Sequence, residues 1–197
     1  NHFKASLSVM LSGYFAAAIV GVSAGVAMAW VPWMDRLFAP LIAVLRPVPP
    51  PAWIPLAILW FGIDLTAKVF IVFVAAVVPC VLNSYQAIKA TPPELLNAGR
   101  SLGARGTRLL WEVVLPSGLP VILGGLRIAL GTAWATIVAA ELVVSLAGFG
   151  FLIMNGYRNL ESNIVVCGML AVAILGFLMN LIFVRIARRW VPWAELK

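Results

Sequence analysis

Residues 91–116 read TPPELLNAGRSLGARGTRLLWEVVLP. Arg100, Arg105 and Arg108 stand in this stretch with Glu94 and Glu112, punctuated by Gly99, Gly103 and Gly106. On both sides the chain is almost pure hydrocarbon. Of 197 residues, 63% are hydrophobic and 11% charged, and the mean hydropathy is +1.04. Soluble domains carry about 25% charged residues. This chain lacks the polar side chains needed to coat a globule in water, so its composition places it in the lipid bilayer. The charged stretch is then a polar connection between membrane spans, and the spans are counted outward from it.

A crossing helix needs about 20 apolar residues. Downstream, an apolar run from about Val113 to Val144 is over-long for one straight span, with Pro116 and Pro120 near its start. Its first part is expected to lie along the interface. A further run covers about Asn163 to Ile186. Upstream, Ala67 to Ile88 reads as a span bent near Pro79. Before it, PAWIPLAILWFG (51–62) is too short to cross straight and contains Pro55, so a half-span or broken helix is expected. The first run extends from about Leu7 to Trp30, and Trp30 and Trp33 suit a membrane interface. None of these runs has the short alternation of a membrane barrel. The fold class is therefore all-α, a polytopic bundle of transmembrane helices, and residues 1–197 are treated as a single membrane domain.

Basic residues orient the bundle. With the first connection inside, Arg36, Arg46, Lys89, Arg100, Arg105, Arg108, Arg185, Arg188, Arg189 and Lys197 are cytoplasmic, and Lys4, Lys68 and Arg158 are outside. That bias accounts for the net charge of +7 without nucleic acid. It puts residue 1 outside and residue 197 inside. No cleavable signal peptide is evident, and the abrupt start at Asn1 leads us to expect residues ahead of it.

Small residues recur at helical spacing. Ala17, Gly21, Gly25 and Ala29 form one ladder, and Gly124, Gly131, Ala135 and Ala139 share one face of the long run. Such faces let helices approach closely in lipid. Internal packing is the favoured reading of the first; a subunit or pore-lining face is the sharper alternative. Cys80 and Cys167 sit alone in apolar runs, and His2 is the only histidine, so no metal or redox site is expected. An intramembrane enzyme needs a nucleophile with a base, or a metal. The chain has neither pattern, and no G-x-x-x-x-G-K-[ST] for hydrolysing ATP. A passive channel or structural subunit is the remaining rival class.

Within the charged stretch, Thr91 is placed to cap a helix, Pro92 to open it and Glu94 to complete a capping box. Leu95, Ala98, Gly99 and Leu102 share an apolar stripe, with Asn97, Arg100 and Ser101 off it. Gly103 suits the stop. The result is a short cytoplasmic amphipathic helix. Physical chemistry alone leaves two uses open: lying on lipid headgroups, or docking a cytoplasmic partner.

NAGRSLGARGTRLLWEVVLP (97–116) resembles the EAA loop of ABC importer membrane subunits, E-A-A, three residues, G, nine residues, I-x-L-P. Asn97, Ala98 and Gly99 take the first places, Gly103 is the glycine, and Val113, Leu115 and Pro116 close the pattern. Asn97 for glutamate, Gly99 for alanine and Val113 for isoleucine are departures. PPPAWIPLAILWFGI (49–63), LPSGLPVILGGLRIALGTAWATIVAAEL (115–142) and GFGFLI (148–153) are similar to one branch, the permeases for sulfonates, taurine, nitrate and bicarbonate.

The resemblance implies a type I ABC importer permease fold with a five-helix core, usually preceded by one more N-terminal span. It implies a multi-pass permease of the bacterial cytoplasmic (inner) membrane that opens alternately to each side. A homodimer would work with two separate ATPase subunits, which hold the ATP and Mg, while this chain binds no cofactor. A periplasmic or lipid-anchored solute-binding protein would deliver the substrate. The coupling loop at about 90–112 would meet the ATPase through Glu94, Asn97, Ala98, Gly99, Arg100 and Gly103. The solute is expected to be a small anion; aromatic acids or thiamine precursors are the alternative.

Arg127 lies roughly 15 Å beyond the Pro116 bend at ~1.5 Å per residue. A charge at such depth is expensive and marks function by default. Arg127 and Glu141 are therefore the candidate pathway residues, too far apart along one helix to pair directly. A structural arginine tied to backbone carbonyls stays open as the alternative for Arg127.

Overall fold

The computed structural model describes residues 2–143 and 147–193, and every regular element among them is helical. In chain order these are α1 (His2–Trp30), α2 (Pro32–Leu45), a 3-10 turn (Pro50–Trp53), α3 (Ile54–Phe61), α4 (Leu65–Lys89), α5 (Pro93–Ser101), α6 (Gly106–Leu109), a π turn (Leu110–Val114), α7 (Leu115–Val143), α8 (Phe149–Arg158) and α9 (Ser162–Trp190). Four helical stretches are long and apolar enough to cross a membrane: 6–30, 65–89, 106–143 and 162–190. A fifth crossing is available if α2 and the segment 50–61, which meet at 93°, count as one broken span.

Glycine brings α1 and α4 together. A Cβ on Gly13 would lie 2.8 Å from Val69 O, on Gly21 2.5 Å from Cys80 Cβ, and on Gly25 2.4 Å from Val81 O. Only missing side chains allow this approach, which replaces the absent hydrophobic drive between helices in lipid with dense packing. Ala17 in the same ladder is fully buried. The ladder thus packs inside the subunit. Partner numbers rise together along both helices, so α1 and α4 run parallel. The chain must return between them, and the broken α2–α3 segment makes that return.

α7 runs antiparallel to both. Gly118 meets Ala87, Gly125 meets Asn83, and Thr132 Oγ1 donates to Ala75 O at 3.4 Å. Tyr14 Oη donates to Leu126 O at 3.1 Å. The core lies along this three-helix contact, built from Met10, Tyr14, Val72, Ala76, Ala129, Ala133, Trp134 and Ile137. α9 lies against α7 more loosely and buries only Gly168 and Ala187. Polar contacts help hold it: Trp134 Nε1 donates to Val172 O at 3.1 Å, and Arg127 Nε to Asn180 Oδ1 at 2.8 Å.

Three expectations are corrected. The long run begins earlier than Val113: helix starts at Gly106 and continues to Val143 through the π turn. Pro116 has no N–H to give the preceding turn, and its ring crowds the carbonyl there. The ladder widens at that point, with Leu115 N–H bonding Leu110 O. Thr91 does not cap α5. Pro92 precedes Pro93 and is therefore held extended (φ −58°, ψ 136°), so the helix can start only at Pro93. Pro92 occupies the cap place without a side-chain bond, and Thr91 Oγ1 is buried with no partner among the described residues. Third, the apolar stripe on α5 is divided between two faces.

Candidate functional site

The inward face of α5 is Leu96 and Gly99. Leu96 is half-buried against Ile88, Leu109, Leu110 and Val114. A Cβ on Gly99 would fall 2.8 Å from Leu109 Cδ1 and 2.9 Å from Val113 Cγ2. Here glycine stands where the motif has alanine, and α5 sits directly on α6 and the π turn. The outward face carries Leu95, Ala98 and Leu102, all exposed; Leu102 is 88% accessible. Glu94, Asn97 and Arg100 are exposed around them. The single chain thus leaves an apolar strip ringed by polar groups uncovered on α5, next to the start of the longest helical stretch.

The end of α5 is set by Gly103, whose φ is +87°. Gly103 N–H bonds Arg100 O at 3.0 Å and Ala104 N–H bonds Gly99 O at 3.0 Å. These are the two bonds of a Schellman stop, which needs a left-handed residue at this position. A Cβ there would meet nothing within 4 Å, so glycine is required for conformation and not for space. Ala104 then turns inward and is buried with Leu109.

One polar cluster near α5 gave no sequence signal. Tyr85 Oη donates to Asp35 Oδ2 at 3.0 Å, and Lys89 Nζ lies 3.5 Å from the same oxygen. Asp35 is on α2, fifty residues before Tyr85, so only the fold brings them together. The cluster ties α2 to the end of α4 that leads into α5.

Arg127 and Glu141 are not neighbours. Arg127 is half-buried between α7 and α9, on Asn180. Glu141 is 2% exposed at the opposite end of α7 from α5. Its carboxylate accepts from Ser6 Oγ at 2.5 Å and from Gly150 N–H at 3.0 Å. It is packed between helices and does not stand on an open surface. Sequence reading missed Ser6, Asn180 and Gly150 as partners, because each contact joins elements that no local pattern links.

Comparison with known proteins agrees with this architecture. Residues 17–194 match the family described as "Binding-protein-dependent transport system inner membrane component". The taurine transport system permease protein TauC of Escherichia coli is 38% identical over 193 residues, covering 98% of this chain and 70% of that protein. The bicarbonate transport system permease protein CmpB of Synechococcus elongatus is 34% identical over 188 residues, covering 95% and 67%. A chain of the MetNI methionine ABC transporter, solved in inward-facing conformations, superposes with a TM-score of 0.81 at 21% identity, over 94% of this chain and 93% of that one. Members work with a separate ATPase subunit and a binding protein, and the chain itself is no enzyme. The fold, the α5 geometry and these matches make the chain a multi-pass inner-membrane permease subunit of an ABC importer, a member of the binding-protein-dependent transport system inner membrane component family.

Proposed function

We propose that this permease works as a homodimer with two ATPase subunits and carries a small anionic solute. The exposed strip of Leu95, Ala98 and Leu102 on α5 carries the coupling part of this reading. It enters a cleft on the ATPase, with Glu94, Asn97 and Arg100 at the rim. Residues 90–112 are the coupling loop. ATP and its magnesium stay on the ATPase, and this chain binds no cofactor. When the ATPase pair closes, α5 moves, and Gly99 presses the movement onto Leu109 and Val113. The helix from α6 to α7 tilts as a lever, and the pathway opens alternately to each side. Solute arrives from the binding protein.

One face of α7 supports the pairing of two copies. A Cβ added to Gly124 or Gly131 would meet nothing within 4 Å, and Ile128 and Ala135 are exposed beside them. Two such faces, meeting or lining a shared space, complete the pathway that one chain is too small to enclose. The anion follows from relatives named for taurine and bicarbonate transport and from Arg127. With Nε on Asn180, the guanidinium has a fixed orientation inside the bundle. It offers positive charge to the pathway at a depth where charge is otherwise costly.

Reconstitution in proteoliposomes with the ATPase and binding protein tests this. Uptake of taurine, an alkanesulfonate or bicarbonate is expected, falling in Arg127→Gln while assembly persists. Undiminished uptake by a well-assembled Arg127→Gln complex removes Arg127 from the pathway. Preference for a cationic solute refutes the anion.

A further inference from the structure

The end of the bundle far from α5 is organised around one buried carboxylate. Glu141 lies 26 residues beyond Leu115, about 39 Å along the helix. Two elements converge on it. Ser6 Oγ of α1 donates to one carboxylate oxygen, and Gly150 N–H, in the first turn of α8, donates to the other at 3.0 Å. Phe149 N–H closes the ring by donating to Ser6 Oγ at 3.3 Å.

The backbone is shaped to admit this group. Gly148 has φ +126°, and a Cβ there would fall 2.2–2.4 Å from the carboxylate atoms of Glu141. On Gly150 a Cβ would fall 2.4 Å from Val138 O. Two glycines flanking Phe149 therefore let the start of α8 lie flat on the end of α7, with the Phe149 and Trp134 ring centroids 6.4 Å apart. The carboxylate also meets the positive end of the α8 dipole. A buried carboxylate deprived of its donors is strongly unfavourable, so the three contacts are kept or lost together.

We infer that Glu141 is a positioning residue that locks α8 to α1 and α7, so the three form one rigid gate at the end where solute enters. The lever from α5 ends at this lock. Movement of α7 then carries α8 with it, and the entry side responds to the ATPase without slack. This rests on the permease function established above and not on the anionic solute or on Arg127.

The test is Glu141→Gln in the complete importer in nanodiscs. The amide keeps the size of the side chain but accepts through only one oxygen and turns an N–H toward the other donor. Amide exchange in α8 (149–158) should quicken about tenfold, the effect of losing a hydrogen bond to a charged group. Exchange in α1, α4 and the rest of α7 should stay at the parent rate. Solute taken up per ATP hydrolysed should fall severalfold. Gly148→Ala leaves Glu141 intact but pushes its carboxylate aside, and should reproduce both effects if Glu141→Gln fails to assemble. Parent-level α8 exchange, or parent-level uptake per ATP, in an assembled variant would overturn the proposal. So would faster exchange spread evenly over all helices, which is the mark of general destabilisation. Loss of assembly in both variants would equally mark Glu141 as a folding residue and not a gate.

Discussion

Gly103 separates conformation from size. Its φ of +87° costs an L-residue about 1–2 kcal/mol, more if β-branched. The space around it is open, since a Cβ would meet nothing within 4 Å. Asparagine tolerates the left-handed region better than alanine although it is larger. The expected order of damage is therefore Asn least, then Ala, then Val. A penalty of about 1–2 kcal/mol shifts the population of correctly ended α5 by a factor of roughly 5–30. The Schellman bonds from Gly103 and Ala104 are lost in the misfolded fraction, and Ala104 leaves its place beside Leu109. Uptake per ATP hydrolysed should stay within about twofold of the parent in Gly103→Asn, drop about fivefold in Gly103→Ala and fall further in Gly103→Val. Co-purification of the ATPase should follow the same order. Asparagine more damaging than alanine would show that size decides, and would refute the conformational argument. Parent-level coupling in Gly103→Val would remove the α5 stop from the mechanism.

Ala98→Glu places a charge in the exposed strip without touching the bundle; ATPase retention on affinity beads should collapse while membrane insertion, read by protease protection, persists. Gly21→Val drives a side chain into Cys80 and the Val77 carbonyl. Overpacking of about 1–3 kcal/mol should lower the melting temperature in detergent, and an unchanged melt would contradict the α1–α4 contact. Gly131→Cys should give a disulfide-linked pair on a non-reducing gel, in a background lacking Cys80 and Cys167; monomer alone from both Gly131→Cys and Ala135→Cys would count against pairing through this face of α7.

The long spans and the α5 stop are legible in the sequence because they depend on local features: apolar length, and a glycine after an amphipathic turn. The internal role of Ala17, Gly21 and Gly25 is legible for the same reason. The start of α5 misleads because Thr91 and Glu94 fit a capping box by spacing, while the preceding-proline effect at Pro92 outweighs it. The stripe of Leu95, Ala98, Gly99 and Leu102 misleads because periodicity gives a face without saying what covers each edge. Leu96 and Gly99 meet the π turn, and the others are left outside. α2 and α8 escape detection as helices because they are short and flanked by Pro or Gly. Ser6 with Glu141, Asp35 with Tyr85 and Arg127 with Asn180 are contacts of tertiary structure, which no local pattern announces.

The parallel pairing of α1 with α4 has a consequence for synthesis. Gly13 waits for Val69, Gly21 for Cys80 and Gly25 for Ser84, separations of 56 to 59 residues. At about 5–20 residues per second, the ribosome needs roughly 3–12 s to supply the second half of each contact. During that interval α1 is in the bilayer with a bare glycine groove, and lipid or a helper protein must occupy it. Polar substitutions in the groove would then be felt first as failed insertion or early degradation, before any finished transporter exists to be assayed.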